Sequence, residues 1–393
     1  MIDALTFILV LCAGAIALPT LVLLTQIAAS VFHARRSLYY PVRPTVAVVI
    51  PAHDERSMIG RTVAQIRSQL RAEDRLLVVA DNCTDDTAQR AADHGAEVVE
   101  RRDLQRRGKG YALDYGIHHL AKTEPPDVIV FVDADCDLGA GAIDRIAALS
   151  AGTRRPVQAK YLMREVPAAG PIDRIAQFAW RVKNLLRPLG YHQLGLPCPL
   201  MGTAMVFPWP VIHGLDLATG HLAEDQKMGA DLALAGSAPL FCPEACVISQ
   251  FPATDDAKSK QRTRWEHGHL AVIRDYVPRL LSKAICRRDP SLLAFALDLA
   301  VPPLSLLVSL LALLGCVSVA WMLFTDRAAP LVVVAAAVTM LVCAIGLAWV
   351  RAGRDLIRPR ELFAIARYCA LRIPSFLRFL AGRQIAWIRT ERT

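Results

Sequence analysis

The stretch Val128-Ile129-Val130-Phe131-Val132-Asp133-Ala134-Asp135-Cys136-Asp137 runs five apolar residues, four of them β-branched, directly into three alternating aspartates. A run this short and this apolar reads as a strand buried on both faces. Two upstream runs, Val46-Ala47-Val48-Val49-Ile50 and Leu76-Leu77-Val78-Val79-Ala80, have the same texture, and Glu97-Val98-Val99 is a weaker copy. Between them, Met58 to Leu70, Asp85 to His94 and Tyr111 to Leu120 carry helical patterning. This βαβα alternation predicts an α/β fold with a mostly parallel, Rossmann-like sheet covered on both faces. Ligands of such sheets bind at the carboxyl ends of the strands.

The polar residues of interest fall at those ends: His53-Asp54-Glu55 after the first strand, Asp81-Asn82-Cys83-Thr84-Asp85-Asp86 after the second, and Asp133, Asp135 and Asp137 after the fourth. Thr84-Asp85-Asp86 also reads as the cap of the next helix. Clustered carboxylates repel one another unless a cation neutralises them, and hard oxygen donors select Mg2+ or Mn2+ over zinc. No G-x-G-x-x-G follows the first strand and no Walker A motif occurs, so dinucleotide and P-loop chemistry fall away. Arg106-Arg107-Gly108-Lys109-Gly110 sets a lysine between glycines, which suits a diphosphate and equally suits a solvated turn. His221-Leu222-Ala223-Glu224-Asp225 opens a helical stretch, where acidic residues also satisfy free amides and the macrodipole. Gln261-Arg262-Thr263-Arg264-Trp265 offers an amide, a guanidinium and an indole for a phosphate leaving group.

Around this polar middle the composition changes. The 393 residues are 54% hydrophobic, and the segment from Ala4 to Phe32 carries no charge. At helical rise it reaches about 43 Å, enough to cross a hydrocarbon core of about 30 Å. A signal peptide would open with basic residues, whereas this chain opens with Asp3. Leu292 to Phe324 forms a second apolar region, interrupted by Asp298 and by Pro302-Pro303, and Leu331 to Val350 forms a third. Asp298 is expected at the interface, the alternative being a pair within a helix bundle. Basic flanks (His33-Ala34-Arg35-Arg36; Lys283, Arg287, Arg288; Arg351, Arg354, Arg358, Arg360) place the polar middle in the cytoplasm and the amino terminus outside. The net charge is +9, and residues 351–393 hold ten arginines against Asp355, Glu361 and Glu391. So local a charge points to anionic lipid rather than nucleic acid. Arg367, Arg378 and Arg389 repeat every 11 residues, as do Arg372 and Arg383, which with Phe376 and Leu380 suggests an interfacial amphipathic helix kinked at Pro374. The alternative is a basic helix packed on its own protein. The expected organisation is an anchor (1–36), a catalytic domain (41–290), a transmembrane hairpin (291–350) and an interfacial segment (351–393). The ten cysteines lack a repeated spacing and fit reduced thiols.

Taken in order, these markers resemble the inverting family 2 glycosyltransferases of the GT-A fold, and especially their membrane-bound cellulose synthase-like and ceramide glucosyltransferase-like branch, over roughly Pro44 to Asp275. Pro51-Ala52-His53-Asp54-Glu55 looks like the nucleotide loop, Asp133-Ala134-Asp135 the D-x-D, Glu224-Asp225 the E-D pair, and Gln261 with Arg264-Trp265 the Q-x-x-R-W signature. The resemblance implies that Glu55 and Asp81 contact the nucleoside and that Lys109 helps hold the donor phosphates. It implies that Asp133 and Asp135 bind Mg2+ or Mn2+, that Asp225 is the base, and that Gln261, Arg264 and Trp265 stabilise the departing nucleoside diphosphate. Ala223 departs from the threonine many members carry before E-D, which implies altered tuning. Gly202-Thr203-Ala204 is similar to the acceptor-side segment, or is a simple turn. Trp387-Ile388-Arg389-Thr390 resembles tails of bacterial relatives.

The function expected is transfer of a sugar from a nucleotide-sugar, here a UDP-sugar, to a lipid-linked or polysaccharide acceptor at a bacterial-type cytoplasmic membrane. The rivals are a processive synthase, a nucleotidyl- or phosphoryltransferase on a related sheet, and a non-catalytic scaffold. Cys242 and Cys246 lack the second pair a zinc site needs. His267 and His269 suggest interfacial or acceptor contacts, and His118 and His119 a helix surface.

Overall fold

The computed structural model describes residues 2–32, 40, 42–165, 170–361 and 364–382. They form two compact units. One holds residues 40–165 and 197–268, and the other holds 2–32, 170–196 and 269–382. Residues 170–196 and 269–290, which lie inside the span expected to be catalytic, cluster with the second unit.

The first unit is built on an eight-stranded sheet. Its strands are β1 (Val46–Ala52), β2 (Arg75–Asp81), β3 (Glu97–Arg101), β4 (Val128–Phe131), β5 (Asp137–Leu138), β6 (Val157–Met163), β7 (Met205–Pro208) and β8 (Leu240–Ser249). Their spatial order is β3-β2-β1-β4-β7-β6-β8-β5. The first four pair in parallel, as the sequence pattern predicts, with Val49 opposite Leu77 and Phe131. The sheet then turns antiparallel at β4–β7 and β7–β6, is parallel at β6–β8 and antiparallel again at β8–β5. Burial explains the apolar runs. Ala47, Val49, Leu77, Val79, Ile129 and Phe131 pack with helices Lys109–Leu120 and Glu224–Leu234, while Val46, Val48, Ile50, Leu76 and Val78 are buried as well. Because those two helices share one layer, their first turns are drawn together. The strand β1 is pinned at its start by buried Asp74, which accepts from the Val46 N–H at 2.9 Å and pairs with Arg43 at 2.6 Å.

The second unit is helical. Ile2–Ala29, Leu304–Thr325 and Ala329–Ala352 are long and apolar enough to cross a membrane, with mean hydropathies of 2.7, 2.5 and 2.7. The helix Pro290–Ala300 ends just before Pro302-Pro303, which cannot continue it, and the next begins at Leu304. Ala337, Ala344 and Ala348 leave room for Leu23 and Ile27 to pack against them. Helix Arg187–Gln193 presses on Ile2–Ala29 so closely that a Cβ on Gly190 would stand 1.8 Å from the Gln26 carbonyl oxygen.

Asp298 is paired within the helix bundle: only 2% exposed, it pairs with Arg187 and accepts from Gln26 Nε2 at 2.8 Å, while Arg187 Nε donates to Gln26 Oε1 at 3.0 Å. A lone carboxylate among apolar helices is costly, and this network of a guanidinium and an amide offsets that cost. His269 is likewise buried, and its Nε2 donates to the Leu299 carbonyl at 3.1 Å. Burial drives its pKa down to about 3, aided by the nearby Lys183 and Arg187 charges, so it is a neutral structural residue rather than a surface or acceptor contact. His267 is buried too. Helix Ala364–Leu380 turns Tyr368, Cys369, Arg372 and Phe376 inward and exposes Leu371, Leu377 and Leu380. Arg372 therefore does not share an exposed face with Arg367 and Arg378. The flank His33-Ala34-Arg35-Arg36 and the tail residues Arg383, Ile385 and Trp387-Ile388-Arg389-Thr390 lie outside the described residues. All ten cysteines are free thiols.

Candidate active site

At the carboxyl ends of β1, β2 and β4 lies a cavity of about 160 Å³ whose wall includes Glu55, Asp81, Lys109, Asp133, Asp135 and Arg264. Gln261 and Trp265 share a helix face with Arg264, at i, i+3 and i+4 on Asp255–Arg287, but do not line that wall.

The loops that carry these residues are knitted to one another. Asp54 and Asn82, which follow β1 and β2, both adopt left-handed backbone (φ 51° and 54°), which short polar side chains tolerate. Asp54 Oδ1 accepts from the Thr84 N–H at 2.6 Å, and the His53 ring meets the Asp81 carbonyl at 2.6 Å. Asp86 is the N-cap residue of the following helix, and Asp85, one position before it, accepts from the Thr87 N–H at 3.0 Å. Asp81 is paired with Arg101, the last residue of β3, at 2.7 Å. Burial pushes the Asp81 carboxyl up, against the pull of Arg101. Nothing in the sequence flagged Arg101, because its role depends on the β2–β3 register that places Asp81 beside it.

Of the three aspartates after β4, only two stay together. Asp133, Asp135 and the Cys136 thiol bring ligand atoms within 4.8 Å of one another. Asp137 turns away into β5, where Arg61 at 2.8 Å and Arg164 neutralise it, so it is not part of the acidic cluster. Asp135 is buried, with Oδ2 accepting from Ser249 Oγ at 2.8 Å. Two carboxylates beside a buried thiol fit a divalent ion, and their hard oxygens fit Mg2+ or Mn2+.

Lys109 is the centre of charge. Its Nζ binds Asp133 Oδ1 and donates to the Gly202 carbonyl at 2.5 Å. Burial pulls the ammonium's pKa down, but the Asp133, Glu224 and Asp225 carboxylates outweigh it and hold the pKa above its ordinary value. Glu224 and Asp225 open helix Glu224–Leu234, as acidic residues commonly do. Asp225 Oδ2 lies 3.5 Å from where a Gly202 Cβ would be. Burial pushes the Glu224 carboxyl up to about 7, with Lys109 opposing and Asp225 adding to the shift.

The helix bearing Gln261, Arg264 and Trp265 reaches this place through Gly268, one turn further on. A Cβ there would stand 2.9 Å from Ala223 Cβ and 3.0 Å from the Ala223 amide nitrogen, immediately before Glu224. That close approach was invisible in sequence, where Gly268 is simply a glycine between two histidines. Cys242 and Cys246 sit on β8 and form no cluster of three ligands among the described residues. His119, on a helix surface, meets Glu97 at 2.6 Å.

The sheet, parallel through its first four strands and mixed beyond β4, with acidic groups and a lysine at the carboxyl ends of the parallel strands, has the architecture of the GT-A transferases. Residues 44–268, more than half of the chain, match the family described as glycosyltransferase-like family 2, and the chain belongs to that family. An uncharacterized glycosyltransferase of Mycobacterium tuberculosis is 39% identical over 198 residues, which cover 44% of this chain and 85% of the relative. Glucosyl-3-phosphoglycerate synthase of Mycolicibacterium paratuberculosis is 39% identical over 97 residues, covering 23% of this chain and 28% of that protein. Among solved structures, a mannosyltransferase from Pyrobaculum calidifontis in complex with GDP-Man and Mn2+ superposes with a TM-score of 0.55 at 17% identity, covering 98% of this chain and all of that one.

Proposed function

We propose that this glycosyltransferase is integral to a cytoplasmic membrane, with its catalytic unit in the cytoplasm and its amino terminus outside. There it moves a sugar from a UDP-sugar, with inversion, to a lipid-linked or glycan acceptor. The observation that supports the donor half is the cavity holding Asp81, Lys109, Asp133, Asp135 and Arg264 around one opening. The three long apolar helices and their basic flanks support the membrane half. The boundaries 1–36, 41–290, 291–350 and 351–393 remain the proposed division of labour along the chain, with membrane lipids along the first, third and fourth segments.

In this reading Glu55 and Asp81 accept hydrogen bonds from the nucleoside. Asp133 and Asp135 hold Mg2+ or Mn2+, which when bound offsets diphosphate charge. Lys109 adds an ammonium to the same phosphates. Asp225 takes the proton of the acceptor hydroxyl as that oxygen attacks the anomeric carbon. Negative charge then grows on the departing diphosphate, where Arg264, with Gln261 and Trp265 on the same helix face, stabilises it. The Pyrobaculum mannosyltransferase was solved with GDP-Man, so the donor panel should span both nucleotides.

Detergent-solubilised protein with Mn2+, offered UDP- and GDP-sugars, should gain thermal stability with a UDP-sugar and release UDP when acceptor-containing lipid extract is added. Release of pyrophosphate from a nucleoside triphosphate, with no response to any nucleotide sugar, would instead show a nucleotidyltransferase.

A further inference from the structure

The apolar start of β6, Val157-Gln158-Ala159, is interrupted by one amide, and Gln158 is completely buried. A buried amide persists where both its donors and its acceptor are matched. Gln158 Nε2 donates to the Thr203 carbonyl at 2.9 Å and to the Ala159 carbonyl at 2.8 Å, while Oε1 accepts from the Met201 N–H at 2.7 Å. One side chain thus grips Met201 and Thr203, on either side of Gly202. The gripped segment needs holding: Ala204, next to Thr203, has φ 48°, the left-handed region in which a residue with a Cβ is strained.

That same segment meets the Lys109 ammonium and the Asp133 main chain, and Asp225 lies close beside it. The Gly202 carbonyl accepts from Lys109 Nζ at 2.5 Å, Thr203 Oγ1 accepts from the Asp133 N–H at 3.0 Å, and Asp225 Oδ2 lies 3.5 Å from the Cβ position of Gly202. We propose that Gln158 is a positioning residue for sugar transfer: its amide fixes Met201–Thr203 and, through that segment, the spacing between Asp225 and the Lys109–Asp133 pair. This rests on the reading of Asp225 as base and of Lys109 and Asp133 as donor-binding groups. Other side chains do not replace it. Asparagine is one methylene short, ionised glutamate has no donor, and methionine has neither group to give.

The test uses the full-length protein in detergent, with Mn2+ and the nucleotide sugar selected by the donor panel. Gln158→Met should lower kcat on the order of tenfold or more, since small misplacements of reacting groups are costly, while the donor KM stays within about threefold. Gln158→Glu should lose as much at pH 8 and recover relative to the parent toward pH 6, where a protonated carboxyl again offers a donor and an acceptor. It also keeps the test open if the methionine variant does not fold. Loss of folded protein with kcat per folded molecule unchanged, and no recovery at low pH, would overturn the proposal. Amide hydrogen exchange over residues 199–206 decides the question without turnover: Gln158→Met should speed exchange there and leave β1 and β2 as they are. Unchanged exchange sinks the clamp even if the donor reading stands. A parent enzyme that turns over no nucleotide sugar, with faster exchange in the variant, sinks the donor reading and leaves the clamp supported.

Discussion

The Lys109–Asp133 pair of the sheet unit and the Arg187–Asp298 pair of the helical unit use the same elementary interaction to opposite ends. Arg187 and Asp298 are nearly sealed, with side chains 9% and 3% exposed, and Gln26 and a backbone carbonyl satisfy what the pair leaves over. Lys109 and Asp133 are 20% and 30% exposed, and one ammonium there faces Asp133, Glu224 and Asp225. The first pair is electrically closed and can only hold helices together. The second has surplus negative charge and an open side, which is the condition for taking up a cation and exchanging partners with an arriving phosphate.

Four experiments sharpen or break this contrast. Asp225→Asn should reduce transfer by about 10²- to 10⁴-fold, the usual contribution of a general base, while UDP with Mn2+ still raises the thermal midpoint. Transfer that survives the substitution would remove Asp225 from the chemistry and move the search for the base to another group. Arg187→Ala should do the converse, destabilising the helical unit by about 3–5 kcal/mol because Asp298 is left charged and unpaired. The double change Arg187→Met with Asp298→Leu should regain most of that loss, as thermal unfolding in detergent would show; no recovery would mean the pair itself is indispensable.

Gly268→Ala inserts a methyl against the Ala223 backbone. Overpacking of this kind costs about 1–3 kcal/mol, and the displaced Gln261–Trp265 face should lower kcat more than it raises the donor KM. Equal loss in both would show that the helix serves binding alone. The smallest effect concerns Glu224, whose carboxyl is held up near 7 against an ordinary value of 4.5. Such a group stabilises the fold in its protonated form, fully below 4.5, and that contribution is lost as pH rises through 7. Glu224→Gln cannot ionise, so its thermal midpoint should lie close to the parent's near pH 5 and exceed it at pH 8. A difference that does not vary with pH would refute the raised pKa.

Legibility in the sequence followed locality. The runs around Val48, Val78 and Val130 declared their strands because parallel strands buried on both faces must be continuously apolar. Asp81, Asp133 and Asp225 were legible as strand-end or helix-start residues, and Lys109 as a lysine between two glycines. The antiparallel half of the sheet was less so: β5 is two residues long, and β6 hides Gln158 within an apolar run. Asp137 looked equivalent to Asp133 and Asp135 until Arg61 and Arg164, distant in sequence, were seen to claim it. Asp298 looked interfacial because its partners lie in helices more than a hundred positions away.

The sequence by itself determined the four parallel strands, the long apolar helices and which residues can carry charge to a strand end, since these depend on side-chain chemistry and on continuous apolar runs of strand or membrane-spanning length. Tertiary structure decided which charges meet. Lys109 reaches Asp133 and feels Asp225 because two helices share one layer of the sheet, and the Gln261–Trp265 face is aligned because Gly268 lets its helix touch Ala223. Those meetings depend on strand order and on sub-ångström packing room, quantities that no local pattern of residues encodes.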